Sequence, residues 1–195
     1  MKTKWVPMLA LASGLALATA ACGSNNDDND NPGGVNPTAT ADTGATEAPP
    51  PAAAADHAAQ FLTDAIMADN AEIKAGQAAQ DMGSTQAVKD YGKTLVADHT
   101  KAKDQASAVA MAMNVPIPTG TPADADSELK MTTSMSGAGF DKDFLAMMVK
   151  DHQAAIDKFQ QEASSTDPAQ VTDLAKQSLP TLKKHLETAQ SLQKK

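Results

Sequence analysis

The chain has 195 residues, a formal net charge of −8, only 3% aromatic residues and no arginine. Without Arg there is no planar fork for bidentate phosphate recognition. An acidic chain also lacks the clustered cations that nucleic-acid phosphates require, so a nucleic-acid partner is excluded.

The first 22 residues read as a secretory signal. Lys2 and Lys4 supply the charged start, and Trp5 to Ala18 form an apolar run too short to span a membrane comfortably. Thr19, Ala20 and Ala21 lead directly to Cys22, the only cysteine. One thiol cannot build an internal disulfide framework. Its setting resembles the lipobox of bacterial lipoproteins, with Thr19 where Leu is usual. That resemblance implies cleavage before Cys22 and lipidation of its thiol. The alternative is a plain signal peptide cut near Ala18-Thr19-Ala20. Residues 23–55 are polar and rich in Pro and Gly, and are expected to be a disordered tether. A flexible chain of that length spans on the order of 30 Å.

The folded part is expected over residues 56–195, as four long helices. Helix 1 is predicted over about 56–81, with Leu62, Ala65, Ile66 and Ile73 facing inward. Gly83-Ser84 breaks it, and Ser84 or Thr85 can cap helix 2, predicted over about 85–113. Its inner stripe is Val88, Tyr91, Leu95, His99, Ala102, Ala106, Val109 and Met113. Pro116, Pro118 and Pro122 enforce a loop. A short extra helix is expected over 123–135, before Ser136-Gly137-Ala138-Gly139. Helix 3 is predicted over about 140–164. Asp167-Pro168 reads as a cap followed by proline at the first position of helix 4, which runs to about residue 193 with a kink or break at Pro180. No strand signal is present. Short turns between long amphipathic helices imply an all-α, antiparallel four-helix bundle.

His99, His152 and His185 each fall in the apolar stripe of a different predicted helix, so all three should point inward. Glu72 sits near the inner side of helix 1. Facing-helix levels permit convergence without forcing it. The candidate metal ligands are therefore His99, His152 and His185, with Glu72 or Asp151. The candidate ions are Zn, Cu or Fe. The competing reading is three buried histidines, each bonded to a carboxylate or carbonyl of a neighbouring helix, with Asp98 and Asp151 as candidate partners. His57, beside the tether, is expected to be solvated. The methionines 67, 82, 111, 113, 147 and 148 are expected to fill the core.

The stretches Glu72-Ile73, Ala97 to Ala102, Phe140 to Leu145, Met148 to His152 and Leu179 to Leu186 resemble a bacterial family called domain of unknown function 4142. The resemblance implies a ferritin-like bundle and an envelope location, and it brings no established reaction. Di-iron ferritin-like enzymes use two Glu-x-x-His pairs, and this chain has neither. Nor does it carry a phosphate loop or a nucleophile elbow. The sequence thus points to an exported lipoprotein, held to the membrane by its N-terminal anchor, on the outer membrane or facing the periplasm or exterior. Its protein partner and reaction are unspecified, and an enzyme is disfavoured. The alternative is a metal-free structural or stress-related interaction module.

Overall fold

The computed structural model describes residues 52–195. The expected signal sequence, Cys22 and the tether up to residue 51 lie outside the described residues. Every regular element is helical: α1 (Ala52–Met82), α2 (Gln86–Ala112), α3 (Ala123–Thr132), α4 (Ala138–Ala163) and α5 (Ala169–Gln193). The described chain is therefore all-α. None of these helices is long and apolar enough to cross a membrane.

Several boundaries differ from the sequence expectation. Helix α1 starts at Ala52, four residues early, because Ala52 to Ala55 have the highest helix propensity and nothing there breaks the helix. Thr85 is the cap of α2, accepting from the Val88 N–H at 3.3 Å. Ser84 is committed elsewhere: its N–H and hydroxyl donate to Asp141 at 2.8 and 2.6 Å, tying the α1–α2 turn to the first turn of α4. Helix α3 stops at Thr132. Helix α4 begins at Ala138, after Gly137, whose φ of 59° favours glycine. Helix α5 runs unbroken through Pro180, and its cap residue is Pro168, not Asp167.

Helices α1 and α2 form one hairpin, and α4 and α5 pack along one another as a second. The first hairpin is closed by glycine. A Cβ on Gly76 would lie 2.7 Å from the Gly92 carbonyl oxygen, and one on Gly92 would lie 2.6 Å from that of Gly76. Only two bare backbones permit this approach.

Two apolar cores result. One joins Ala75, Val88, Leu95, Phe140, Phe144 and Met148. The other joins Phe61, Leu62, Ile66, Ala106, Val171 and Leu174. Burying each Phe or Leu contributes roughly 1.5–3 kcal/mol. Every long helix contributes to these cores, and α1, α2 and α5 contribute to both. Between the two, α1 carries Asp69 and Glu72, α2 carries His99, and α5 carries His185. His152 lies one turn beyond Met148 on α4. The predicted stripe drifts in places: Ile73, Ala102 and Val109 are only half-buried, whereas Ala75 and Ala110 are buried. Met147 and Met148 fill the core as expected, but Met111 faces solvent.

Candidate metal centre

The three histidines meet in the polar layer between the cores. All are buried, His99 at 5% exposure and His152 and His185 at 1% each. Their ring centroids are 5.2–5.7 Å apart. One ligating nitrogen from each lies within 4.8 Å of the other two.

The hydrogen bonds dictate which nitrogens are free. His152 Nδ1 lies 2.9 Å from the Met148 carbonyl oxygen, which can only accept, so this nitrogen carries the proton. His185 Nε2 lies 2.9 Å from Asp98 Oδ2 and donates to it. His99 Nδ1 lies 2.8 Å from Asp69 Oδ1 and donates likewise. In the neutral rings the remaining lone pairs are then His152 Nε2, His185 Nδ1 and His99 Nε2. The first two face each other at 3.2 Å. The third is buried without any hydrogen-bond partner. Two lone pairs in contact repel unless a proton or a metal ion lies between them. Carbonyl and carboxylate acceptors that fix the outer nitrogen of each imidazole are the usual outer shell of histidine metal sites.

The electrostatics follow from burial. Burial, then the neighbouring imidazoles His99 and His185, push His152 down to about 3, so it is neutral at ordinary pH. Burial also lowers His185, against the opposing bond from Asp98. For His99 burial works against the charge, but the Asp69 bond and the nearby carboxylates outweigh it and raise its pKa. A proton on His99 Nε2 meets no acceptor, and a metal ion at that nitrogen would have to compete with it.

The predicted carboxylates are placed unequally. Glu72 Oε1 lies 3.8 Å from His152 Nδ1, the nitrogen already donating to Met148, and Glu72 Oε2 has no partner. Burial raises the Glu72 pKa to about 7. The ligand cluster does not include Glu72 or Asp151. Asp151 is half-exposed, with Oδ1 3.5 Å from Lys150 Nζ. Of the candidate partners, Asp98 does bond a histidine across the helices, and Asp151 bonds none. Asp69 was not among the residues singled out by sequence. Its signal is three-residue spacing from Glu72 on the same face of α1.

Two clefts border the triad. One of about 290 Å³ includes Asp69, Asp98, His99 and His185 in its lining. One of about 610 Å³ includes Glu72, Met148, Asp151 and His152. Asp69, His99, Phe159 and Leu182 line both.

Residues 43–192 match the family described as Domain of unknown function (DUF4142). The chain belongs to the DUF4142 family. No curated protein and no solved structure matches it. The family assignment agrees with the resemblance carried by Ala97 to Ala102, Met148 to His152 and Leu179 to Leu186. These stretches deliver Asp98, all three histidines and the Met148 carbonyl.

Proposed function

We propose that this DUF4142 protein is an envelope lipoprotein whose folded part is a ferritin-like, antiparallel four-helix bundle that binds one transition-metal ion through His99, His152 and His185. One observation carries the metal reading. Three buried imidazoles converge while the outer nitrogen of each is held by a protein acceptor. Zn, Cu and Fe all accept imidazole nitrogen. Three protein ligands leave a position for water or a small exogenous ligand. The bordering clefts supply the space for one. Anchoring through Cys22 rests on the lipobox-like sequence alone.

A second reading is favoured by the same carboxylates. Asp69 and Asp98 accept from the outer nitrogens of His99 and His185 without any ion, as in a metal-free structural module. Elemental analysis separates the two. The chain is purified without chelator or affinity tag, beside a variant with His99, His152 and His185 all replaced by Ala. About one equivalent of metal more in the native chain than in the variant supports the site. Equal metal contents after loading with Zn, Cu and Fe, with unchanged far-UV spectra, make the histidines structural.

A further inference from the structure

Away from the triad, the second turn of α1 meets the α4–α5 turn through His57, Glu162 and Asp167. One ligating atom from each lies within 4.8 Å of the others. His57 Nδ1 donates to Asp167 Oδ2 at 2.7 Å. Glu162 Oε2 lies 3.6 Å from the same nitrogen, too far for a hydrogen bond.

Glu162 is the anomaly. Its side chain is 1% exposed, Ser165 Oγ donates to its Oε1 at 3.1 Å, and its Oε2 is buried with no partner. A buried carboxylate oxygen without a donor costs free energy. The Asp167 side chain is 4% exposed, so two buried carboxylates face one imidazole. Lys158 contributes positive potential here, but its ammonium is bonded to Asp64 at 2.5 Å. Burial, then the charge of Asp167, makes ionised Glu162 unfavourable. The one positive charge facing both carboxylates is the His57 imidazole, whose pKa the Asp167 bond raises, and it makes no hydrogen bond to Glu162.

The sequence assigns Asp167 to capping α5, and the structure does not use it so. Its carboxylate turns to His57 and leaves α5 without a side-chain cap.

We propose that His57, Glu162 and Asp167 form a second divalent-metal site, separate from the histidine triad, that clips the start of α1 to the α4–α5 turn. One imidazole nitrogen and two carboxylate oxygens form an ordinary Zn²⁺ donor set. Ligands at ~2.0–2.2 Å from a shared ion stand roughly 3.3–3.6 Å apart around a tetrahedron. The His57–Glu162 separation of 3.6 Å already matches, and the His57–Asp167 pair, hydrogen-bonded at 2.7 Å, would open to admit the ion. His57 is 62% exposed at its side chain, so the ion is reachable from water and water can complete its shell. Binding replaces the Nδ1 proton that now bonds Asp167. The clip has mechanical value because Ala52 and Ala53, which open α1, are exposed and bury nothing.

The test uses the full chain with Zn²⁺ alone, comparing native protein with Glu162→Gln and His57→Ala by equilibrium dialysis at matched free Zn²⁺. Each variant is expected to hold one equivalent less than the native chain, whether or not the triad binds. Zn²⁺ should also slow amide exchange over residues 54–60 in the native chain and not in His57→Ala. Should Glu162→Gln fail to fold, the largely solvated His57 still supports the comparison. Equal Zn²⁺ in native and His57→Ala protein, or exchange at α1 unaffected by Zn²⁺, overturns the site.

Discussion

His152 and His185 face each other with Nε2 3.2 Å from Nδ1, and the other nitrogen of each ring already donates to Met148 or Asp98. Neither ring can offer its neighbour a proton without giving up a bond or becoming charged in a buried place. That relationship makes His152 the most informative position to change. His152→Leu is expected to keep the helical far-UV spectrum and lose the triad's metal. Native protein at a hundredfold excess of metal over Kd should gain about 2.7 kcal/mol of stability from that site, and the variant none of it. Denaturant titration with and without metal reads the difference. An equal gain in both proteins removes His152 from the site.

The bond between Asp69 and His99 predicts a graded effect. Asp69→Ala leaves all three imidazoles in place but frees the outer nitrogen of His99. Loss of such an outer-shell acceptor lowers metal affinity about 10–100-fold. Competition with a chromophoric chelator measures it. Unchanged affinity means His99 is oriented by packing alone.

Glu72 imposes a pH dependence on the metal-free protein. Its pKa rises from 4.5 to about 7 in the fold because burial penalises the charge. Between those values the folded state holds a proton that the unfolded chain has released, so stability falls as pH rises. The full loss, reached above pH 7, is about 3 kcal/mol at 1.36 kcal/mol per unit. His152 acts oppositely. Being held down to about 3, it costs stability as pH falls below 6.5. Glu72→Gln keeps the His152 effect and removes the other. The stability difference between native protein and Glu72→Gln, measured by urea titration with chelator present, should therefore shift against the native protein between pH 4.5 and 7.5. A difference independent of pH contradicts the buried-carboxyl account.

Gly76→Ala tests the helix spacing on which the site depends. The new Cβ would meet the Gly92 carbonyl oxygen at 2.7 Å and Val96 Cγ2 at 2.9 Å, so α1 and α2 must separate. Overpacking of this kind costs about 1–3 kcal/mol. Asp69 lies seven residues before Gly76, and His99 seven residues after Gly92, two turns in each case. The separation should therefore also lengthen the Asp69–His99 bond and weaken metal binding. Chemical denaturation checks the first effect, and chelator competition checks the second.

Anchoring is tested at Cys22. Cys22→Ser should move the chain from the detergent-extracted membrane fraction to the soluble exported fraction. Retention in the membrane fraction ends the lipoprotein proposal.

Much of this protein is legible in its residue order because helical punctuation is local. Gly83 and the prolines of the 116–122 loop separate the first helices, and the 3.6-residue period turns His99, His152 and His185 inward. None of that depends on distant contacts. Ala52 to Ala55 show the limit of composition, since they follow a proline-rich stretch and yet extend α1. Partners across helices are a different matter. Asp69 on α1 lies opposite His99 on α2 because the Gly76–Gly92 contact sets the register of those two helices, whereas Asp151 on α4 lies beside Lys150 and reaches no histidine. Asp167 leaves its expected capping position because His57, 110 residues earlier, lies within reach. Periodicity determines which face a side chain occupies. Only the packed register of the helices decides which donor lies opposite it, because a shift of one turn moves every cross-helix partner by about 5.4 Å.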